Sequence, residues 1–232
     1  MYKAVEFSGK VIREMSIGGR MTLCNMAVEM GAKIGYVEPD EKTVQWLTIR
    51  TNKKYEIIKS DVDAEYEKTI DYDISELEPQ IACPHTVDNV KPVSEVLGTR
   101  INQALIGTCT NGRIEDLKIA SKILRDKKIS NRVRLLVFPA SMEVFIQAME
   151  LGILQELVKS GAVIMNPGCG PCLGAHEGAL APGEVCLSTA NRNFKGRMGC
   201  KEAEVYLASP ATVAISSLYG EITDVRGNLN EY

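Results

Sequence analysis

The sequence predicts an α/β fold whose sheet is largely parallel or mixed and covered on both sides. Two observations predict it: short apolar runs of strand length, and stretches between them whose apolar residues recur at helical spacing. Taken in order, Val5 and Phe7 alternate with Glu6 and Ser8 as a strand would, and a turn is expected at Gly18–Gly19. Leu23, Cys24, Ala27, Val28 and Met30 recur near helical spacing, Gly31 would end that helix, and Ile34 to Val37 would form a strand. Residues 38–80 are dense in charge and read as a solvated face, with a strand hinted at by the alternation of Tyr66, Lys68, Ile70, Tyr72 and Ile74. Residues 82–100, with two prolines and several turn formers, read as a linker. Beyond it the β and α units alternate. NQALIG, RVRLLVFPA, AVIMNP and EVCLST read as strands; Ile114, Leu117, Ala120, Ile123 and Leu124 form one helical stripe, and Val144 to Val158 a second helix. The expected division is a smaller α/β region over 1–95 and a sheet-and-helix domain over 96–232.

Composition narrows the function classes. The chain has 232 residues, 45% of them apolar, enough to bury a sizeable core. With 27 Lys+Arg against 30 Asp+Glu the net charge is −3, which offers no basic footprint for nucleic acid. No apolar run approaches the length of about 18 residues needed to span a membrane, and the first residues lack a signal-peptide core. The reading is a soluble, cytoplasmic chain. It opens as though in the middle of a domain, without a polar lead-in, and so is expected to be a fragment or to have an internal start. Seven cysteines cannot pair off fully, and a reducing compartment makes them packing residues, ligands or nucleophiles. Cys24, Cys83, Cys186 and Cys200 read as packing.

Three segments stand where predicted strands end. LIGTCTNGRIEDL carries Cys109, MNPGCGPCLGAH carries Cys169 and Cys172, and LSTANRNFKGRMG carries Asn191, Arg192 and Arg197. Ligands of open α/β sheets bind at the carboxyl ends of strands, so all three would converge on one edge. The Cys-x-x-Cys pair alone fits a redox dithiol, half a zinc site with His176 nearby, part of an iron–sulfur site, or two buried thiols in a tight turn. Adding Cys109 gives three thiolates on two strand-end turns. That set suits a cubane cluster with one iron left open as a Lewis acid, whereas an electron-transfer cluster normally takes four cysteines.

GTCTNGR, NPGCGPCLGAHEG and NRNFKGRMG closely resemble the aconitase superfamily, in particular the large, iron–sulfur subunits of 3-isopropylmalate dehydratase and homoaconitase. The likeness extends through CNMAVEMGAK and PHTVDNVKPVSEV, nearly the whole chain. It implies domains of three-layer α/β/α type and a 4Fe–4S cluster ligated by Cys109, Cys169 and Cys172. It further implies active-site roles for Asn25 and Glu29, on one helix face by their spacing, and substrate binding by Asn191, Arg192 and Arg197. The implied reaction is dehydration and rehydration of a hydroxy di- or tricarboxylic acid. 2-Isopropylmalate in leucine biosynthesis is the first substrate, and citramalate and homocitrate are its competitors. The implied partner is a small subunit that contributes the catalytic serine base. A non-catalytic metal-binding module is the alternative of a different class.

One departure stands against the resemblance. Large subunits of this kind carry Asp-His and Asp-Ser-His motifs that help protonate the leaving hydroxyl, and neither occurs here. On the resemblance the chain is therefore expected to be the C-terminal half or so of a large subunit, and to be inactive alone.

Overall fold

A computed structural model of the chain describes residues 2–174 and 176–228. It divides into two compact units, Met1–Leu77 and Glu78–Tyr232.

The first unit is sparse. Strand β1 (Ala4–Glu6) pairs in parallel with β2 (Ile34–Tyr36), and helices α1 (Lys10–Glu14), α2 (Ile17–Met26) and α3 (Glu41–Thr48) complete its regular structure. Gly18 and Gly19 do not form the expected turn. They lie in the first turn of α2, because the Ser16 hydroxyl accepts from the Gly19 amide 3.0 Å away and starts the helix just before them. The most buried side chain after Ala27 is Arg20, which donates to the Ile12 and Arg13 carbonyls at 3.0 and 2.9 Å and to Asp40 Oδ2 at 2.6 Å. That guanidinium holds the Asp40 carboxyl well below the usual carboxylate range. The middle of the unit is thus a polar clasp that ties α1, α2 and α3 together. The strand expected from the alternation over 66–74 is not formed: these residues are exposed, and among the described residues no neighbouring strand offers them a ladder.

The second unit is a seven-stranded sheet. In chain order its elements are β3 (Gln80–Ala82), β4 (Val90–Pro92), β5 (Gln103–Gly107), α4 (Thr108–Asn111), α5 (Ile114–Leu124), β6 (Arg134–Phe138), α6 (Met142–Glu150), α7 (Ile153–Ser160), β7 (Val163–Ile164), β8 (Val185–Ser188), β9 (Glu204–Leu207) and α8 (Pro210–Tyr219). Side by side the strands run β4-β3-β9-β8-β5-β6-β7. The five from β9 to β7 are parallel, and β3 joins antiparallel to both β4 and β9. The expected linker thus supplies β4, the outermost strand of the antiparallel edge, where the missing amide of Pro92 breaks no ladder. The expected helix from Val144 to Val158 is two helices, α6 and α7, because Gly152 adopts a left-handed φ of 71° between them.

Strand placement explains the layers. From β5 the chain adds β6 and β7 on one side, then returns to add β8 and β9 on the other. Right-handed crossovers put the connections before and after that reversal on opposite faces. On one face Ala104, Ile106, Leu135 and Val137 pack with Leu117 and Leu124 of α5, Leu157 of α7 and Ile215 of α8. On the other, Leu105, Leu136, Phe138 and Cys186 meet Cys172, Leu180, Met198 and Ala203, none of which lies in an α-helix or strand. The two cysteine- and arginine-bearing segments therefore occupy the layer that helices fill on the opposite face.

Candidate functional site

The site is assembled where the parallel strands end. β5 stops at Gly107, whose φ of 123° turns the chain sharply; a Cβ there would stand 2.0 Å from the Phe138 carbonyl oxygen. Thr108 follows at φ 68°, a left-handed conformation that costs a β-branched residue on the order of 1–3 kcal/mol. The surroundings hold it: its carbonyl accepts from the Gly112 amide at 3.1 Å and its side chain is buried. The outcome is that Cys109, the next residue, is exposed at the strand end.

The run after β8 is locked to this turn by Thr189. Its hydroxyl accepts from the Gly107 amide at 2.8 Å, and its carbonyl accepts from the Asn111 side chain at 2.7 Å. β5 and β8 flank the point where strand order reverses, the place where open α/β sheets bind ligands. Asn191 and Arg192 follow at once, the first buried and the second half-buried. Asn193 is fully buried and donates to the carbonyls of Cys83, Thr86 and Val205 at 2.8, 3.3 and 3.2 Å. It anchors the run to the β3–β4 connection and to β9.

The Cys169–Cys172 turn is a short 3-10 segment over Gly170–Leu173, held over β6 by Phe138. Gly170, at φ 53°, leaves room for that ring: a Cβ there would stand 2.5 Å from it. At the far end of the turn, a Cβ on Gly174 would stand 2.8 Å from the Arg197 carbonyl, so the turn and the arginine run are in contact. The Leu180 amide donates to the Met198 carbonyl at 2.8 Å, tying them again. Cys169 is exposed and Cys172 buried. Burial pushes the Cys172 thiol up, and the Arg197 guanidinium, hydrogen-bonded to it, opposes that rise. Cys109 and Cys169 are near enough to disfavour its ionisation.

The second unit thus brings Cys109, Cys169, Cys172 and Arg197 together, with Asn191 and Arg192 on the adjoining turn. Asn25 and Glu29 belong to the first unit. They do not share a regular helix face, because α2 ends at Met26; Asn25 lies in its last turn and Glu29 in the tighter turn beyond, whose amide donates to the Met26 carbonyl at 3.0 Å. His176 is exposed. Burial raises the thiols of Cys24, Cys83 and Cys186, the last to about 12, as befits packing residues.

The donor set decides what the site can hold. Among the described residues, no three His, Cys, Asp or Glu side chains converge on one metal ion. A cluster that takes one thiolate per iron requires no such convergence. Four buried side-chain atoms without partners, Thr108 Oγ1, Arg113 Nε, Asn193 Oδ1 and Arg197 Nε, also lie in the cysteine and arginine segments, and all but the Asn193 oxygen can donate. Hydrogen-bond donors left over in a buried setting suit a group rich in acceptors, such as the sulfur atoms of a cluster. Sequence reasoning missed Phe138, Thr189 and Asn193, which hold the three segments together. Their only signal is position at a strand end or between the recognised residues.

Known proteins resemble the chain along nearly its whole length. Residues 1–99 and 94–220 match the model of the aconitase family (aconitate hydratase). The chain is 59% identical, over 97% of its length and 57% of the relative's, to a protein named probable methanogen homoaconitase large subunit from Methanosarcina mazei. It is 54% identical, over 97% of its length and 54% of the relative's, to 3-isopropylmalate dehydratase large subunit 1 of Methanopyrus kandleri. It is 51% identical, over 96% and 55%, to the methanogen homoaconitase large subunit of Methanocaldococcus jannaschii. The chain spans about half the length of the curated relatives it matches.

Proposed function

The chain belongs to the aconitase family, and from that premise we propose that it supplies the cluster-bearing part of a hydro-lyase large subunit. The reaction read from it interconverts 2-isopropylmalate and 3-isopropylmalate by dehydration and rehydration in leucine biosynthesis, with a small subunit as partner and the cytoplasm as its compartment. One observation carries the reading: the exposed thiols of Cys109 and Cys169 and the buried one of Cys172 meet beside Arg197.

In this reading Cys109, Cys169 and Cys172 hold a 4Fe–4S cluster. When bound, it supplies an open iron that polarises the substrate hydroxyl. The chain's own groups do the rest. Arg192 and Arg197 are half-buried guanidiniums that stay charged and can grip a carboxylate through two parallel hydrogen bonds. A substrate with two carboxylates matches two such forks. Asn191, nine-tenths buried at the same turn, offers both a donor and an acceptor to fix its orientation. Glu29 and Asn25 are assigned to the active site by the family likeness, and the proton base to the small subunit. With neither Asp-His nor Asp-Ser-His in this sequence, the chain alone is expected not to turn substrate over. Homocitrate is the second substrate, favoured by the names of two of the relatives above.

Anaerobic reconstitution with iron and sulfide, read by visible absorption and iron content, tests the site. The chain is expected to turn brown and its Cys169→Ser variant to lose most of that colour. A protein that stays colourless while taking up one zinc would sink the cluster assignment.

A further inference from the structure

The cysteine turn has a second anchor, at the opposite end of the strands from the site. Gln103 opens β5 as its only polar residue and is fully buried. Its Nε2 donates to the Gly178 carbonyl at 2.8 Å, and its Oε1 accepts from Arg134 Nε and Nη2 at 3.2 and 3.1 Å. Arg134, the first residue of β6, also donates through Nη1 and Nη2 to the two carboxylate oxygens of Glu184, at 2.7 and 2.9 Å. Glu184 in turn accepts from the Ala181 amide at 2.9 Å. One network thus joins the starts of two strands to Gly178, Ala181 and Glu184, all on the stretch that leads from the cysteine turn into β8.

Apolar packing does not fix this stretch by itself, because an open cavity of about 410 Å³ is lined by Leu136, Met165, Gly178 and Ala179. Nor does the ion pair add much stability: the Arg134 side chain is 49% exposed, and pairs open to water contribute little. What a two-armed guanidinium and a fully bonded amide do fix is geometry. That geometry reaches the cysteines through one contact. Gly178, at φ 85°, lies against Pro171, where a Cβ would stand 3.3 Å from the proline Cγ. Pro171 is buried and directly precedes Cys172.

We propose that Gln103, Arg134 and Glu184 are positioning residues that act through Gly178 and Pro171 to hold Cys172 in register with Cys169 for cluster ligation. The inference deepens the proposed function and rests on it for the cluster. The placement of the Cys172 thiol, however, is measurable without one.

Maleimide labelling of the metal-free chain, resolved cysteine by cysteine with mass spectrometry, tests it. Cys83 serves as the internal control: it is buried like Cys172 but lies between β3 and β4 and has no part in the network. In Glu184→Ala, Cys172 is expected to label about tenfold faster than in the wild type while Cys83 keeps its rate. Arg134→Lys, which keeps the charge and loses the fork, should do the same. Glu184→Gln keeps an acceptor in the network and should stay within about threefold of the wild type. After reconstitution with iron and sulfide, Glu184→Ala is expected to lose its visible absorption to a chelator about tenfold faster, and Glu184→Gln to restore the wild-type rate. Two results would overturn the proposal: Cys172 labelling at the wild-type rate in both Glu184→Ala and Arg134→Lys, or Cys172 and Cys83 accelerating together, which would make the network a general brace. The two readings fail separately. A wild-type chain that takes up no cluster sinks the hydro-lyase reading, while selective labelling of Cys172 still upholds the clamp; unchanged labelling beside an intact cluster does the reverse.

Discussion

The two units use the same materials, short parallel strands and helices of eight to eleven residues, and differ in what lies behind them. In the second unit every residue of β5 is buried, and its side chains divide between two packed faces. In the first, among the described residues, Ala27 is the only fully buried apolar side chain and the interior belongs to an arginine. A buried ion pair contributes little net stability once its desolvation is counted, whereas apolar area removed from water contributes about 25 cal/mol per Å². Helical and strand conformation is thus no guide to stability here; the number of covered faces is.

The sharpest way to break this comparison is Phe138→Ala. That ring is fully buried and lies against Gly170 beneath the cysteine turn, so its loss should cost about 3–5 kcal/mol in urea unfolding of the second unit. A loss below about 1 kcal/mol would mean the cysteine turn does not rest on the core.

Asp116→Asn tests a smaller effect of opposite sign. Burial raises the Asp116 carboxyl to about 6, although it still accepts from the Arg113 amide at 3.0 Å. A carboxyl raised on folding favours the native state fully below its unfolded value, near 3.8, and that contribution is lost as pH rises through about 6. Asparagine keeps the acceptor without the charge. The variant should therefore match the wild type near pH 3.5 and exceed it by about 1–3 kcal/mol at pH 7, as measured by unfolding at each pH. Equal stability at both pH values would place Asp116 in water rather than in the core.

The smallest effect belongs to the first unit. Ile49→Ser, at a side chain 79% exposed, should change stability by no more than about 0.5 kcal/mol. A loss of 2 kcal/mol or more, about what a buried isoleucine would give, would show that the first unit packs as the second does.

What the sequence made legible follows the same line. The stripe from Ile114 to Leu124 coincides with α5, which buries one face and so carries a periodic pattern; the four strand readings beyond residue 100 contain β5, β6, β7 and β8, and in β5, β6 and β8 nearly every residue is buried, which the sequence shows as a short apolar run. β9 and α8 were not foreseen, although Ser209 before Pro210 is a helix-start signal, with the serine hydroxyl accepting from the Thr212 amide. The alternation over 66–74 misled because period two predicts a strand only where a ladder exists to join. At the candidate site, the residues proposed to carry chemistry were legible because their types are unusual in a turn. Phe138, Thr189 and Asn193 were not, because a ring, a hydroxyl and an amide gain their roles only from the segments they meet in space.

The irregular second face of the sheet has a consequence for how such a chain can drift through evolution. Surface loops ordinarily absorb insertions and rapid sequence change while helices and strands resist them. Here the segments 165–184 and 189–203 are connections in form but act as a packed layer, pinned at Phe138, Thr189 and Asn193. Neutral substitutions should therefore accumulate on the outer surfaces of α6 and α7, where Met142, Ile146 and Val158 are already exposed, and length changes should be purged from the two loops.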